Sequence, residues 1–276
     1  MGSIAFSWDL LDTSFIIDVR SEIEFDKGHI PGAVNIPILN TEERKIVGTT
    51  FKQAGQKHAI LKGLELTGPH LSKRLKQAVK LVENKENIVV HCWRGGMRSS
   101  FFAYLMEFFG LKVTIIKGGY KYYRQQVIKS FEVNYNFSIL GGMTGSGKTH
   151  ILHELDKINT VIIDLEGLAN HRGSSFGALG MEKQPSQEQF ENNLSYQLIR
   201  TNKKNCWLED ESRTVGVRII PEGIWNQMRQ APHYFLDKTF ELRLDQIMED
   251  YGAFSKEDLQ FCMDRISKRL GPQHAK

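Results

Sequence analysis

The sequence predicts an α/β protein made of two successive parallel-sheet domains, residues 1–130 and 131–276. Three observations carry this expectation. Short apolar runs rich in β-branched residues alternate with segments of helical periodicity, the pattern of parallel strands joined by helical crossovers. The alternation starts afresh at Phe137-Ser138-Ile139-Leu140, which runs directly into a glycine-rich turn. A length of 276 residues also exceeds what one hydrophobic core usually organises.

In the first half, Phe15-Ile16-Ile17-Asp18-Val19, Ile88-Val89-Val90-His91 and Val113-Thr114-Ile115-Ile116 read as buried strands. Between the first two, Leu71, Leu75, Ala78, Val79 and Val82 fall on one face of a helix. Another helix begins after Gly96 and carries Phe101, Phe102, Leu105, Met106 and Phe109. A polar stretch leading to Asn134-Tyr135-Asn136 marks the break between domains. In the second half, Phe137–Leu140, Val161–Ile163 and the step at Trp207-Leu208 read as strands. Two helix starts are signalled by Ser186 with Gln189 and by Ser255 with Asp258.

Composition narrows the class. Hydrophobic residues make up 41% and charged residues 25%, which is ordinary for a soluble globular chain. No stretch approaches the ~20 apolar residues of a membrane helix, and the first residues have neither a basic region nor an apolar signal core. The expectation is a cytoplasmic protein without a membrane partner. Three scattered cysteines exclude a disulfide framework. A net charge of +4 permits an anionic partner such as RNA without requiring one.

Chemistry concentrates at two places. Cys92 stands where a strand ends and a helix begins, in His91-Cys92-Trp93-Arg94-Gly95-Gly96-Met97-Arg98-Ser99-Ser100. Backbone N–H groups of such a loop and the start of the following helix favour negative charge at its centre. Arg94 and Arg98 add formal positive charge, so the thiol is expected to have a lowered pKa and to act as a nucleophile. The alternative, a small buried core residue, is what free cysteines usually are. Cys262, on a helix face with Leu259 and Met263, and Cys206, entering a strand, fit that structural description.

The second place is Gly142-Met143-Thr144-Gly145-Ser146-Gly147-Lys148-Thr149, which fits G-x-x-x-x-G-K-[ST] between a strand and a periodic apolar segment. Backbone amides around Gly142, Gly145 and Gly147 would cradle phosphate oxygens, Lys148 would neutralise them, and Thr149 would ligate Mg²⁺. The loop recognises a di- or triphosphate and leaves the molecule bearing it open. For the acidic partner, Asp164 and the Glu209-Asp210-Glu211 cluster both follow strands. The second resembles the end of a Walker B strand, with Asp210 at its centre.

Longer stretches carry a family resemblance. Asp18-Val19-Arg20, Glu24-Phe25, Gly28-His29-Ile30-Pro31-Gly32-Ala33 and Asn35-Ile36-Pro37 resemble the N-terminal signature of rhodanese domains. Those domains carry sulfur or selenium on a loop cysteine, which Cys92 matches, and His29 falls at a supporting turn. Arg98 lies six residues after Cys92, a spacing that also resembles rhodanese-fold cysteine phosphatases. Adding Cys92–Ser99, Gly118-Gly119-Tyr120-Lys121, the P-loop, Asp164–Gly177 and Glu209-Asp210-Glu211-Ser212-Arg213, the series is similar to the tRNA 2-selenouridine synthase family from about Ile17 to Tyr251. The architecture so implied is a rhodanese-like parallel-sheet domain followed by a P-loop NTPase-like α/β domain.

The resemblance implies a reaction at the wobble 2-thiouridine of tRNA. Geranyl diphosphate S-geranylates the base, and selenium from selenophosphate then replaces the geranylthio group to give 2-selenouridine. It casts Cys92 as the selenium-carrying nucleophile, Arg94 and Arg98 as binders of the anionic donor, and the P-loop with Mg²⁺ as the site of the diphosphate. Bound single-stranded bases need stacking and phosphate contacts. Lys117, Lys121, Tyr122, Tyr123, Arg124 and Arg172 are the RNA-binding candidates. Family members continue through a further helical region, whereas this chain stops at Lys276; if that region contributes to tRNA binding, the resemblance implies weaker binding, different binding or a shortened form. Two rival functions remain at this point: a cysteine phosphatase using Cys92 and Arg98, and a nucleotide-gated sulfur-relay protein.

Overall fold

The computed structural model describes residues 2–158, 160–202 and 204–270, with side chains up to Asp264 in the last helix; Met1 and 271–276, at the ends of the two expected domains, lie outside the described residues. The chain divides into two compact units, Met1–Ile128 and Lys129–Lys276.

The first unit runs β1 (Gly2–Ile4), α1 (Leu10–Thr13), β2 (Phe15–Asp18), α2 (Glu22–Lys27), β3 (Val34–Asn35), α3 (Thr41–Val82), β4 (Ile88–His91), α4 (Met97–Phe108), β5 (Val113–Ile116) and α5 (Gly119–Ser130). Its five strands pair in the order β1-β5-β4-β2-β3, all parallel. Ile17, Val90, Phe102, Ala103 and Met106 are fully buried between the sheet and its helices. Continuous apolar runs in β2, β4 and β5 follow from burial on both faces of a parallel sheet. The two-residue strand β3 and the exposed strand β1 are too short to carry a period.

The helix expected over residues 71–82 is the end of a much longer element. α3 turns sharply at Gly55, whose φ of +82° interrupts it, so 41–54 and 56–82 form two arms. Asn40 caps the first arm by accepting from the Glu43 N–H, with Glu43 returning the bond.

The second unit runs β6 (Asn136–Gly142), α6 (Lys148–Lys157), β7 (Val161–Ile163), α7 (Leu165–Ala169), α8 (Gln187–Arg200), β8 (Asn205–Glu209), β9 (Thr214–Val215), β10 (Arg218–Ile219), α9 (Glu222–Gln230), β11 (His233–Leu236), α10 (Phe240–Tyr251) and α11 (Lys256–Leu270). Four strands pair parallel in the order β11-β6-β8-β7, while β9 and β10 form a small antiparallel ribbon. Ser186 accepts from the Gln189 N–H at 2.9 Å, and Ser255 accepts from that of Asp258 at 3.1 Å, as their spacing predicts. The edge strand β11 gave no sequence signal, because its residues are mostly exposed and show no alternation.

Candidate functional site

Cys92 leaves the end of β4, a central strand, and its loop closes into α4. In open α/β sheets ligands bind at these carboxyl ends of the strands. The thiol is buried; the Gly96 N–H donates to Sγ at 3.3 Å, and the Ser99 hydroxyl lies 3.3 Å from it. Burial pushes the thiol up, but the Ser99 hydroxyl, the Arg98 charge and the backbone N–H groups of Ser99 and Arg94 outweigh it, so the pKa is lowered. The opposite holds for Cys206, whose burial without donors pushes its thiol up to about 12.

The loop rests on the start of α5. Tyr120 donates its N–H to the Cys92 carbonyl and Lys121 to that of Trp93, both at 2.9 Å. A Cβ at Gly119 would lie 2.3 Å from the Cys92 carbonyl oxygen, and Gly119 has φ +55°. The Gly118-Gly119-Tyr120-Lys121 segment is therefore the floor of the cysteine loop. Beneath it, Arg20 pairs with Asp18 at 2.6 Å, both fully buried, and lies 3.7 Å over the Tyr120 ring. His29 stacks on Phe25 with ring centroids 3.8 Å apart and bonds the Phe25 carbonyl, a supporting role in the turn.

The candidate anion binders separate. Arg98 faces the loop, yet its guanidinium is held by Glu24, at 2.7 and 3.2 Å. The Arg94 side chain is exposed, and its influence on Cys92 comes through its backbone N–H. Among the RNA-binding candidates, Lys121 is exposed and Tyr122 and Arg124 are half-buried. Tyr123 requires correction. It is fully buried with its ring edge-on to Phe6 and Trp8, so it belongs to the core and offers no stacking face.

In the second unit the glycine-rich loop joins β6 to α6. Gly145 and Gly147 have φ of +78° and +77°, and Lys148 bends back to donate to the Gly142 carbonyl at 3.1 Å. These are the left-handed positions such a loop needs to aim its N–H groups inward. The Thr149 hydroxyl donates to Glu166 at 3.1 Å.

The acidic partners differ from the expected one. Glu166, Glu209 and Glu211 are buried, with one carboxylate oxygen from each within 4.8 Å of the others. Neither oxygen of Glu209 has a hydrogen-bond partner among the described residues. Burial, together with neighbouring carboxylates, raises the pKa of all three. Such a set of hard oxygen donors beside a P-loop hydroxyl fits a divalent cation. Asp210 instead pairs with Arg229 on α9, and Asp164 caps α7 by accepting from the Gly167 N–H at 2.7 Å. β8 ends at Glu209 and the chain turns at once, the Glu211 N–H donating to the Glu209 carbonyl at 2.9 Å, which leaves Glu209 and Glu211 beside Glu166 while Asp210 reaches Arg229. Register places them, because Glu209 pairs with Leu140 in β6, just before the loop. Glu166 arrives with α7, and Gly173 lets the chain pass the acids, where a Cβ would lie 2.6 Å from Glu166 and 2.7 Å from Glu211.

α10 covers the phosphate loop. The Arg243 carbonyl would lie 2.5 Å from a Cβ at Gly145, and Lys238 Nζ 3.2 Å from one at Gly147. Neither Lys238 nor Arg243 was singled out in the sequence, since nothing local ties them to the loop. Arg172 is engaged on the same helix, donating to the Asp250 carbonyl at 3.3 Å and lying over Tyr251.

Comparisons with known proteins agree with this division. Residues 7–126 match the rhodanese-like domain, and residues 135–259 match the AAA domain of tRNA 2-selenouridine synthase. A tRNA 2-selenouridine synthase of Nitrosomonas europaea is 38% identical over 86% of this chain and 63% of its own length. One from Pseudomonas putida is 38% identical over 87% of this chain and 66% of its own. The Pseudomonas entomophila protein of that name is 37% identical over 96% of this chain and 77% of its own. The chain thus spans less than two thirds of the first two relatives.

Proposed function

We propose a tRNA-modifying role for this chain, which belongs to the tRNA 2-selenouridine synthase family. Its substrate is the wobble 2-thiouridine of tRNA, and its product is 2-selenouridine. The observation that carries the proposal is the pairing, within one chain, of an acidified loop thiol with a phosphate loop backed by buried carboxylates.

In the first step the thiouridine sulfur forms a bond to the geranyl carbon of geranyl diphosphate, whose C–O bond breaks to release pyrophosphate. The glycine loop and Lys148 bind the diphosphate and take up charge as it departs. Mg²⁺, held by Thr149 with Glu166 and Glu209, would supply further charge neutralisation there. In the second step selenium from selenophosphate bonds to C2 of the base, the geranylthiolate leaves, and water takes the phosphoryl group as phosphate. The Cys92 thiolate attacks phosphorus of the donor, forming an S–P bond as the P–Se bond breaks and selenide leaves for C2 of the base. Water then cleaves the S–P bond, returning the thiol and phosphate, with Arg98 and the backbone N–H groups of the loop binding the donor's anionic end. Geranylation makes the sulfur a better leaving group, which is the chemical reason for joining the two steps. The phosphatase alternative leaves the phosphate loop without a purpose, and the nucleotide-gated sulfur-relay alternative uses both centres but gives no account of the Asp164–Gly177 segment.

Nucleoside mass spectrometry tests the proposal. A 2-thiouridine anticodon stem-loop is incubated with the protein, Mg²⁺, geranyl diphosphate and selenophosphate. Geranylated product should disappear with Lys148→Ala, and selenouridine alone with Cys92→Ser. An unmodified nucleoside in the wild-type reaction would reject the proposal.

A further inference from the structure

In the unit that carries Cys92, the two arms of α3 close a cavity of about 1170 Å³ against α2 and the first turns of α4. That exceeds the ~300–1,000 Å³ typical of small-molecule sites. Its apolar wall is patterned. Val47 and Phe51 on the first arm, Ile60 and Leu64 on the second, and Met97 and Phe101 on α4 each repeat at i, i+4. Although they line this cavity, Phe51 and Leu64 remain 54% and 48% exposed. The arms are anchored in place. Thr67 donates to the Ile38 carbonyl at 2.7 Å, and Arg74 bonds the same carbonyl and pairs with Glu43 at 3.2 Å.

We propose that this cavity binds the geranyl chain of the S-geranylated nucleoside, presenting its sulfur-bearing carbon towards the Cys92 loop. The inference rests on the two-step reading above and gives its intermediate a seat. Three features select this occupant. The wall is built for a hydrocarbon, not for a base or a sugar. It reaches the cysteine loop, because Arg98 is both a wall residue and the charge that acts on Cys92. Arg44, Lys45 and Lys52 line it as well, which suits an apolar chain attached to a polyanion. Free geranyl diphosphate offers the same chain, but its head group is matched by the glycine loop of the other unit.

The test is calorimetric titration of the full chain with three probes: S-geranyl-2-thiouridine nucleoside, 2-thiouridine nucleoside and geranyl diphosphate. Two variants alter the wall without touching either reactive centre. Leu64→Asp puts charge at a half-exposed position. Gly63→Phe fills the space from a helical glycine whose added Cβ would meet nothing closer than Val47 at 3.8 Å. Both should keep the wild-type melting temperature. The geranyl nucleoside should bind at least about tenfold more tightly than 2-thiouridine and lose that advantage in both variants, while geranyl diphosphate binding stays unchanged. Equal binding by wild type and both variants would overturn the inference, as would no binding by wild type. A loss confined to geranyl diphosphate would overturn it too, assigning the cavity to the donor. The reaction itself is judged separately by selenouridine formation, so failure of the two-step reading and failure of this assignment give different results.

Discussion

Arg98 and Glu24, 74 residues apart in sequence, meet in a two-pronged ion pair whose N–O distances are 2.7 and 3.2 Å. The cation whose charge acts on the Cys92 thiol is thus partly neutralised by a carboxylate from another element. Glu24 sets how much of Arg98's field reaches Cys92 and how readily Arg98 can turn away to another anion.

Removing Arg98 should therefore raise the Cys92 pKa, and removing Glu24 should lower it. The pH midpoint of the iodoacetamide reaction is expected to move up with Arg98→Ala and down with Glu24→Gln, each by about one unit, equivalent to ~1.4 kcal/mol. Identical midpoints in all three proteins would show that the backbone N–H groups alone control the thiol.

The same pair governs acid stability. Burial opposes ionisation of Glu24, but hydrogen bonding and charge from Arg98 and bonds from Ser21 bring its pKa from 4.5 to about 2. A carboxyl with a depressed folded-state pKa stabilises the fold fully above its ordinary value. That contribution is lost as pH falls from 4.5 towards 2. Thermal melts should show this acid-side decline in wild type and a shallower one in Glu24→Gln.

Gly119 is constrained by a backbone neighbour that cannot rotate away. Gly119→Ala would set its Cβ against the Cys92 carbonyl oxygen at positive φ. A stability loss of more than about 2 kcal/mol is expected in urea denaturation, with changed Cys92 alkylation kinetics. Wild-type values in both assays would contradict the tight packing of this floor.

The carboxylates beside Thr149 should behave unlike Asp210. Glu209→Gln is expected to weaken Mg²⁺-dependent diphosphate binding by about 10–100-fold, while Asp210→Asn changes it little. Without metal, Glu209→Gln should instead stabilise the fold by about 1 kcal/mol above about pH 8, where the Glu209 carboxyl, raised to about 8 by burial and its neighbours, is driven to ionise, and the gain should fade as pH falls below that. Calorimetric titration and thermal melts with and without Mg²⁺ separate the two effects.

For RNA, Lys121→Ala combined with Arg124→Ala should weaken stem-loop binding and reduce its salt dependence, as loss of phosphate contacts does. Tyr123→Phe keeps the buried ring and should leave RNA affinity unchanged. Filter binding across a salt series measures both.

The two candidate centres were legible because the residues that define them are local. A glycine-rich loop between strand and helix, and a cysteine followed by glycines and arginines, each specify their geometry within about ten residues. The parallel sheets were legible too, since double-sided burial writes continuous apolar, β-branched runs into β2, β4 and β5. The acidic run at 209–211 was also present in the chain, but its placement was not: the register of β8 on β6 and the turn after Glu209 bring Glu209 and Glu211 to Glu166 and leave Asp210 to Arg229.

Tertiary structure decided what depends on distant segments. It joined Glu24 to Arg98, brought Glu166 to Thr149, laid α10 over Gly145 and buried Tyr123 in the core. It also folded α3 back at Gly55, so that two ordinary amphipathic stripes became the walls of one cavity. The sequence by itself determined which chemistry each unit can perform, since that is encoded in contiguous side chains and backbone freedom. Which charges balance that chemistry, and which surface receives the substrate, depend on the packing of segments far apart in the chain, where local propensity carries no information.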